Sequence, residues 1–511
     1  MKVLSASQLR QADAYTIAHE PIASVDLMER AASSFVACME QQGLLREVNS
    51  FEVYAGPGNN GGDGLAIARL LAGRGMNVTV LLLPAEKYSA DYLVNLQRLQ
   101  ELPPDQLTIT DVPQNVLLAR KQDGARILID ALYGTGLKKP LEGIAAEWIR
   151  HINRQACMVL AVDIPSGLFA DIPVQEGAEV VRATQTFTFQ LPKLTFFFAD
   201  PAPYVGLFQV LDIGLDQSFI ESLPSFYTYV DNTVAAELLT PRAKFSHKGD
   251  YGHALLVAGA KGKMGAAVLA VQACLRSGAG LVSAQIPGCG YDIMQTAAPE
   301  AMVFADETPD SIAASIHLDA FSAVGVGPGI GLDKQTGNVL KLLIQQSGNP
   351  MVIDADALNL LAQNKTWISF LPKGSILTPH PKEFERLCGM KGSSFNRFEW
   401  QKEFSIKHGV YVVLKGAHTA ISCPGGEVYF NASGNPGMAK GGSGDVLTGI
   451  ITGLLAQGYV PAEAAILGVY LHGLAGDLAA RELSMEAMTA GDIVYALGRA
   501  YNELRNRDKD Y

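Results

Sequence analysis

From residue 51 onward, short apolar runs rich in β-branched and aromatic residues alternate with longer stretches of helical character. This alternation is typical of βαβ units, in which helices cover the faces of a mostly parallel sheet. Residues 5–38 precede it and predict two helices, with Ser7 as the cap of the first. The chain is therefore predicted to adopt an α/β fold.

The alternation forms two series separated by a stretch of weak periodicity. The first predicts strands at 51–55, 77–83, 126–131, 158–163, 186–190 and 207–212. The second predicts strands at 253–258, 281–286, 323–326, 351–354, 375–378 and 410–414. A chain of 511 residues exceeds what one hydrophobic core usually holds. We therefore predict two domains, residues 1–220 and 225–505, with the boundary between 218 and 235.

Charge and composition narrow the class of partner. Lys and Arg number 40 against 51 Asp and Glu, and no basic run is present, so nucleic acid is not expected as a partner. The first residues lack the apolar segment of a secretory signal. The apolar stretch 446–475 is interrupted by glycine, proline and glutamate, which predicts two buried helices and no membrane span. We expect a cytoplasmic protein, and a homo-oligomer if this stretch exceeds what one core buries.

The cysteines predict neither a metal site nor a disulfide framework. All 6 are widely spaced, and no Cys-x-x-Cys pair occurs. Reduced thiols are the expected state.

A glycine-rich segment, Gly56-Pro-Gly-Asn-Asn-Gly-Gly-Asp-Gly64, follows the first predicted strand. Its glycines permit positive φ and leave backbone N–H groups uncovered beside a helix predicted at 65–72, which is an arrangement that binds anions. Such a loop can be only a tight strand-to-helix turn. The fixed polar groups of Asn59, Asn60 and Asp63 favour a ligand site instead.

Two more polar loops follow neighbouring predicted strands. One is Asp130-Ala-Leu-Tyr-Gly-Thr-Gly136, continuing to Pro140, and the other is Asp163-Ile-Pro-Ser-Gly167. An aspartate that ends a strand can be a simple helix cap, but here it occurs twice opposite an Asn-rich loop. Open α/β sheets bind ligands at this edge. Oxygen atoms of Asn60, Asp130 and Ser166 are candidate ligands for a monovalent or divalent cation.

Together these motifs resemble the NAD(P)HX epimerase domain, also called the YjeF N-terminal domain, over about residues 1–215. The resemblance implies a Rossmann-like three-layer sandwich and potassium at Asn60, Asp130 and Ser166. The implied contacts to a hydrated nicotinamide dinucleotide are Asn59, Asn60, Gly61, Gly62, Asp63, Gly134, Thr135, Gly136, Leu137, Lys138, Lys139, Pro140 and Asp163.

The reaction implied by this resemblance is inversion at C6 of the nicotinamide hydrate. Inversion requires opening and re-addition at the iminium carbon, so the site needs a group that moves protons. Asp163 is the first candidate for this acid and base. Lys193 is the second candidate, because a lysine that follows a strand is more often solvated than catalytic.

A second glycine-rich segment, Gly434-Asn-Pro-Gly-Met-Ala-Lys-Gly-Gly-Ser-Gly-Asp445, precedes an apolar helical run that starts near Val446. Gly442 to Gly444 can point successive N–H groups at a phosphate, and Asp445 lies where the helix dipole favours negative charge. The combination suits phosphoryl transfer, with the carboxylate taking a hydroxyl proton. Asp445 could be a simple helix cap, but a cap needs no glycine cluster.

The Gly-Ser-Gly-Asp segment is similar to the Gly-Ala-Gly-Asp signature of ribokinase-like small-molecule kinases. With five further segments it resembles the NAD(P)HX dehydratase family over about residues 225–505. These segments are Ser246-His-Lys-Gly-Asp-Tyr-Gly-His253, Gly325-Val-Gly-Pro-Gly-Ile-Gly331, Asp354-Ala-Asp-Ala-Leu358, Thr378-Pro-His-Pro-Lys-Glu-Phe384 and Leu414-Lys-Gly-Ala-His-Thr419. The resemblance implies a ribokinase-like α/β fold for the second domain.

The same resemblance implies roles for individual residues. Adenine nucleotide would contact Lys415, Gly416, Ala417, His418, Thr419 and Gly444. The hydrate would contact Ala266, Gly329, His380 and Asp445. Asp445 would be the catalytic base and Mg²⁺ would bridge the nucleotide phosphates, with Glu383 and Asp354 as candidate ligands through water. One departure is Gly265-Ala266-Ala267, where relatives often have Gly-Ala-Pro, which leaves the shape of this loop open.

The two resemblances imply a bifunctional repair enzyme for NADHX and NADPHX. The first domain would interconvert the R and S hydrates, and the second would dehydrate the S form with ADP, giving AMP and phosphate. The fused two-domain arrangement resembles the bacterial version of the family, and this resemblance implies ADP rather than ATP. The alternative is a ribokinase-like small-molecule kinase fused to a non-catalytic nucleotide-binding module, because such folds host both roles.

Overall fold

A computed structural model describes residues 1–103, 107–111 and 125–506. It divides into two compact units, Lys2–Ser225 and Phe226–Tyr511, with Met1 joined to the second. We call them the front unit and the back unit. Each is built on its own sheet, so the predicted α/β class with two sheets is confirmed. Within the described ranges, no helix has the length and apolarity needed to cross a bilayer.

The front unit is a parallel sheet with helices on its faces. Its strands are β1 (Ser50–Ala55), β2 (Asn77–Leu82), β3 (Leu107–Asp111), β4 (Ile127–Ala131), β5 (Met158–Val162), β6 (Gln185–Phe189) and β7 (Leu207–Leu211). Its helices are α1 (Ala6–His19), α2 (Ser24–Gln41), α3 (Leu44–Glu47), α4 (Asn59–Ala72), α5 (Ala90–Gln100), α6 (Gly143–Asn153), α7 (Ala202–Val205) and α8 (Gln217–Ser222).

The order of these strands places a crevice at the centre of the front sheet. The order is β3-β2-β1-β4-β5-β6-β7, and every neighbouring pair is parallel. The chain therefore reverses its winding direction between β1 and β4. Ligands of open α/β sheets bind outside the carboxyl ends of the strands at this point.

Continuous apolar runs form the central strands because both faces of the sheet are covered. All five residues of β4 are buried, which is the pattern of a strand in a parallel core. At the start of the unit, Ser5 caps α1: its Oγ accepts from the N–H of Gln8, whose side chain accepts from the N–H of Ser5. The expectation that Ser7 is the cap was wrong by two residues.

The back unit contains a larger, mixed sheet. Its strands are β8 (Tyr227–Val230), β9 (His253–Val257), β10 (Leu281–Ile286), β11 (Met302–Ala305), β12 (Ala323–Val326), β13 (Met351–Ile353), β14 (Ile376–Leu377), β15 (Tyr411–Leu414), β16 (Ala420–Ser422) and β17 (Val428–Asn431). Its helices are α9 (Asn232–Glu237), α10 (Met264–Arg276), α11 (Tyr291–Ala297), α12 (Lys334–Gln346), α13 (Ala355–Gln363), α14 (Pro381–Cys388), α15 (Ser394–His408), α16 (Ser443–Ala456), α17 (Pro461–Leu483) and α18 (Ala490–Asn506).

The strand order in the back unit is β11-β10-β9-β12-β13-β14-β15-β16-β17-β8. The strands from β11 to β15 run parallel, whereas β16 is antiparallel to both of its neighbours. The carboxyl ends of β12, β13 and β14 therefore lie side by side. This edge is where the predicted back-site residues are found.

Two helices, α16 and α17, account for the apolar stretch 446–475, as predicted. Glycines let α16 approach α10 closely, because a Cβ on Gly449 would lie 2.1 Å from the carbonyl oxygen of Ala270. Nearly every residue of the stretch that lies in these helices is buried within the unit. The unit itself covers this segment, which therefore gives no support to the predicted homo-oligomer.

Candidate active sites

The glycine-rich segment of the front unit is mostly helix. Helix α4 begins at Asn59 and not at Leu65, so the loop after β1 is only Gly56–Gly58. None of the glycines from Gly56 to Gly64 has a positive φ, and the expectation that they serve this purpose was wrong. They are needed for close packing: a Cβ on Gly56 would lie 1.8 Å from the carbonyl oxygen of Leu132, and one on Gly61 would lie 1.7 Å from that of Gly56.

This packing leaves the amino-terminal end of α4 open. Gly58 precedes the helix and provides no side-chain cap. The first intrahelical bond is donated by the N–H of Gly62 to Gly58, at 3.1 Å, so the amides of residues 59–61 precede the hydrogen-bonded turn. Free amides and the helix dipole attract an anionic group at this end.

A cavity of about 1180 Å³ lies at the carboxyl edge of the front sheet, in front of α4. Ligand pockets are typically about 300–1,000 Å³, so this one accommodates a large ligand. Predicted residues that line it are Asn59, Asn60, Asp63, Gly134, Thr135, Gly136, Leu137, Lys138, Lys139, Pro140, Asp163 and Lys193. Gly61 and Gly62 do not line it and are buried in α4.

Other lining residues were not predicted as site residues. Arg10 and Asp13 reach the cavity from α1, and Tyr88, Ser89 and Asp91 reach it from the start of α5. Arg10 and Asp13 are three residues apart and share a helix face. Two charged residues at that spacing, beside the apolar face of a predicted helix, were the pattern in the sequence that could have indicated these site residues.

Asp163 follows β5 and forms an ion pair with Lys193. The Lys193 Nζ atom lies 2.6 Å from Asp163 Oδ1 and also donates to the carbonyl oxygens of Phe189 and Leu191, both at 3.1 Å. The Lys193 side chain is only 2% exposed, so the expectation of a solvated lysine was wrong. Asp163 has a φ of 66°, a left-handed conformation that is rare for a residue with a side chain.

The same Asp163 Oδ1 atom accepts two further hydrogen bonds. The Thr188 hydroxyl donates at 3.2 Å and the Phe189 N–H at 3.1 Å. Donors from β6 therefore hold the Asp163 carboxylate in a fixed position at the carboxyl end of the neighbouring strand, β5.

Two further carboxyl groups face this ion pair. Burial, reinforced by the negative charge of Asp163, raises the pKa of Asp13 to about 6. Burial and the charges of Asp163 and Asp13 hold the pKa of Asp63 well above its ordinary value. The cavity thus holds two carboxyl groups with raised pKa values, which suits groups that transfer protons near neutral pH.

Beneath the cavity, Asp130 and Ser166 form a buried polar cluster. The Asp130 carboxylate accepts from the Ser166 N–H at 2.8 Å and from the Ser166 hydroxyl at 2.6 Å. Burial raises the pKa of Asp130 to about 6, against the opposing effect of these bonds. Neither residue lines the cavity itself. Among the described residues, no Lys, Arg or His forms an ion pair with Asp130.

Asn60 lies between this cluster and the cavity. Its Oδ1 atom is next to Gly134, where an added Cβ would lie 3.0 Å away. Its Nδ2 atom is buried and has no hydrogen-bond partner in the described part of the chain. An amide can turn to exchange its oxygen and nitrogen, and the turned form would place a carbonyl oxygen at this position.

In the back unit, α16 presents Asp445 in its first turn. Gly442 precedes the helix with a φ of 94°, which a side chain would disfavour, and no side chain caps the helix. The Asp445 carboxylate is half-buried, and no described residue forms a hydrogen bond or ion pair with it. Burial, and then the negative charge of Asp354, raises the pKa of Asp445 to about 6.

The buried Asp354 and the partly exposed Lys415 form an ion pair beside this turn. Lys415 Nζ lies 2.9 Å from Asp354 Oδ1, and the Thr448 hydroxyl donates to Asp354 Oδ2 at 2.8 Å. A Cβ on Gly444 would lie 3.3 Å from Lys415 Nζ. The Lys415 ammonium therefore lies over the amino-terminal end of α16, where a phosphate would contact both the ammonium and the helix amides. Ala355, next to Asp354, has a φ of 47°.

His380 caps α14, a role that the sequence analysis did not predict. Its Nδ1 atom accepts from the N–H groups of Lys382 at 3.1 Å and Glu383 at 3.3 Å. These bonds assign the remaining proton to Nε2, which lies 3.4 Å from a Glu383 carboxylate oxygen. Burial lowers the pKa of His380, so its neutral form, with Nε2 as a donor, is favoured.

The predicted hydrate contacts Gly329 and Ala266 lie close together. A Cβ on Gly329 would lie 3.2 Å from the Cβ of Ala266. Lys263, just before α10, lies 3.1 Å from Asp356, which also accepts from the N–H of Gly331 at 2.9 Å. Helix α10 begins at Met264, so the segment Gly265-Ala266-Ala267, which differs from the family pattern, is helical and can approach the Gly329 loop.

The segment Lys415–Thr419 is a compact turn between β15 and β16. The Thr419 hydroxyl accepts from the N–H of Gly416 at 3.3 Å and donates to the carbonyl oxygen of Gly416 at 3.1 Å. Gly416 and Ala417 are exposed, and His418 contacts the carbonyl oxygen of Asn431. The turn therefore presents exposed main chain next to Lys415.

Comparison with known proteins gives two family matches. Residues 24–195 match the model of the YjeF-related protein N-terminus, and residues 254–499 match that of the NAD(P)H-hydrate dehydratases. The bifunctional NAD(P)H-hydrate repair enzyme of Moorella thermoacetica is 36% identical over 97% of this chain and 95% of its own length. That of Thermofilum pendens is 34% identical over 99% of this chain and 97% of its own length.

A solved structure is also similar to part of the chain. The ADP/ATP-dependent NAD(P)H-hydrate dehydratase from Bacillus subtilis, co-crystallised with ATP and Mg²⁺, is 29% identical and covers 54% of this chain and 98% of its own, with a TM-score of 0.47.

Proposed function

The chain belongs to the family of bifunctional NAD(P)H-hydrate repair enzymes, and from this premise we propose how its residues divide the two reactions. The protein is an NAD(P)HX epimerase and an NAD(P)HX dehydratase. The front cavity would carry out epimerisation, and the first turn of α16 would carry out dehydration. The observation that carries the proposal is that each unit holds one polar site at the carboxyl edge of its own sheet, each beside an uncapped helix end.

In the front cavity, the amides at the start of α4 would bind the dinucleotide phosphates, with Asn59 beside them. Lys138 and Lys139 are exposed at the cavity edge and would add positive charge. Asp163 would transfer a proton at the hydrated C6. Lys193 would act through Asp163, because its ammonium group is fully committed to that carboxylate and two carbonyl oxygens.

The residues at Asn60, Asp130 and Ser166 fit a monovalent cation. Asp130 supplies one buried negative charge that no described cationic side chain neutralises, and Asn60 and Ser166 supply neutral oxygens. No group of three or more His, Cys, Asp or Glu side chains suited to a metal occurs in the described part of the chain. A single carboxylate with neutral oxygens favours K⁺ over a divalent ion, because divalent sites gather more charge. The ion would hold the Asn60 amide and the Gly134 loop in place.

In the back unit, Asp445 would accept the proton of the C6 hydroxyl as that oxygen attacks the terminal phosphate. Its carboxylate has no hydrogen-bond or ion-pair partner among the residues that the structure describes, whereas Asp354 is fully engaged by Lys415, Thr448 and the main chain. The amides of α16 and the Lys415 ammonium would stabilise the charge on the transferred phosphoryl group. Phosphorylation turns a poor leaving group into a good one, and loss of phosphate restores the reduced nicotinamide.

The substrates would bind on either side of Asp445. Lys415–Thr419 and Gly444 would contact the adenine nucleotide, and Ala266, Gly329 and His380 would contact the hydrate. Mg²⁺ would be held chiefly by the nucleotide phosphates and water, with Glu383 reached through water, because Asp354 already has its hydrogen-bonding partners. We propose ADP as the preferred donor. A homo-oligomer stays a prediction that light scattering of the purified chain would check.

One experiment tests both assignments. Mixed R and S hydrate is supplied with either ADP or ATP, and reduced-nicotinamide absorbance is followed, with an enzyme-free blank for spontaneous epimerisation. The wild-type chain should recover all of the hydrate, faster with ADP. Asp163→Asn should recover only the S fraction. Complete recovery by Asp163→Asn at the wild-type rate would remove Asp163 from the mechanism.

A further inference from the structure

Epimerisation at C6 has a stereochemical requirement that one carboxylate does not meet. The hydroxyl must leave from one face of the ring, and water must add at the other. A proton must therefore be given at one face and taken at the other. Asp163 is fixed by three donors to its Oδ1 atom, so it serves one face only.

The cavity offers three other carboxyl groups: Asp13, Asp63 and Asp91. Asp91 is engaged, because it accepts from the Ser24 hydroxyl at 2.6 Å. Asp63 lies on α4, and burial holds its pKa well above the ordinary value, which opposes the loss of its proton. Asp13 remains, and no described residue forms a hydrogen bond or ion pair with its side chain.

Asp13 also lies close enough to Asp163 for their charges to interact, although it comes from a different element, α1. The charged groups that act on it are Asp163 and, with opposite sign, Lys193 and Arg10; Asp63 faces the same pair. Its pKa of about 6 suits a group that gives and takes protons near neutral pH. Lys193, in contrast, is held 2.6 Å from Asp163 Oδ1.

We infer that Asp13 is a second catalytic residue of epimerisation, transferring a proton at one face of C6 while Asp163 transfers a proton at the other. This inference rests on the proposed use of the front cavity. The Asp13 carboxyl group protonates the C6 hydroxyl, the C6–O bond breaks, and the nitrogen lone pair forms the iminium as water leaves. Water then adds at the opposite face, the electron pair returns to nitrogen, and the Asp163 carboxylate takes the proton. Exchange with cavity water returns the proton to Asp13, and the reverse reaction uses the two residues in exchanged roles.

The test compares Asp13→Asn with Glu147→Gln, in which an exposed carboxylate of α6 is changed in the same way. Each full-length variant is given R hydrate, and the appearance of S hydrate is measured by chromatography. Asp13→Asn should lower kcat about 10²- to 10⁴-fold, the usual contribution of a general acid or base, with little change in KM. Glu147→Gln should match the wild type. Both should dehydrate pure S hydrate normally, which shows that the back unit is folded.

The pH profile supplies a readout that a structural role would not change. The reactive form carries one proton, on Asp13, so wild-type kcat/KM should fall about tenfold per pH unit above a pH of about 6. In Asp13→Asn, the residual rate should lack this dependence. A wild-type rate in Asp13→Asn, or a flat wild-type profile, would overturn the inference even if the variant failed to fold. Absence of epimerisation by the wild-type chain would instead contradict the proposed function.

Discussion

The buried ion pair of the front site allows a quantitative prediction for Lys193→Met. The charges lie 2.6 Å apart, and the lysine side chain is 2% exposed. At an effective dielectric constant of about 20, their attraction is about 6 kcal/mol, part of which offsets the cost of desolvation. Methionine is similar in size but carries no charge, so Asp163 would keep only the donors on Thr188 and Phe189. Breaking a buried pair from one side typically costs about 3–5 kcal/mol.

Trp148 provides the assay, because it is a fully buried side chain of the front unit. In a Trp367→Phe and Trp400→Phe background, its fluorescence reports urea unfolding of that unit alone, since the chain has only 3 tryptophans. Lys193→Met should lower the free energy of unfolding by about 3–5 kcal/mol. Lys138→Met removes an exposed lysine and should change it by less than about 0.5 kcal/mol.

A double variant separates loss of the pair from loss of lysine packing. Asp163→Asn combined with Lys193→Met removes both charges and should be less destabilised than Lys193→Met alone, by about 1–3 kcal/mol. A cost below about 1 kcal/mol for Lys193→Met would refute the inference that the pair is buried and strongly coupled. Strict additivity of the two substitutions would refute it as well.

Three further predictions concern the other site groups. Asp445→Asn should lower the rate of dehydration about 10²- to 10⁴-fold, while calorimetry should show that nucleotide binding is retained. The wild-type kcat/KM for dehydration should fall as the pH drops through about 6, where this base becomes protonated, and a pH-independent rate would contradict the assignment. Gly61→Ala should unfold at a clearly lower urea concentration than Gly136→Ala, because the Cβ added at Gly136 meets no atom within 4 Å. Equal unfolding midpoints would exclude the packing role of Gly61. Asp130→Asn should remove any dependence of epimerisation on K⁺ measured against Na⁺, and a K⁺ response equal to that of the wild type would exclude the cation site.

The sequence predicted the central strands well because burial on both faces imposes continuous apolar runs. β4, with five buried residues, is such a strand. The strands it missed lie at or near the sheet edges, where that constraint is absent. β11 is largely exposed, β8 lies in the predicted linker, and β16 and β17 are short and antiparallel.

The site residues show where local patterns stop being informative. Gly56 and Gly61 looked like residues of a strand-to-helix turn. Gly56 is needed because the carbonyl group of Leu132, which follows β4, lies against it, and Gly61 is needed because it lies against Gly56. Lys193 looked solvated because Asp163, thirty residues earlier, becomes its neighbour only when β5 and β6 pair. Asp13 had no motif around it, and its place in the cavity depends on how α1 packs.

The left-handed backbone at Asp163, with a φ of 66°, has a consequence for engineering this protein. The left-handed conformation costs a residue with a typical side chain about 1–2 kcal/mol of conformational free energy relative to glycine. Glycine at 163 would relieve this strain but would leave the buried Lys193 ammonium without its carboxylate, which typically costs about 3–5 kcal/mol. A directed-evolution campaign that selects only for heat resistance should therefore retain aspartate at 163, because the ion pair outweighs the backbone strain.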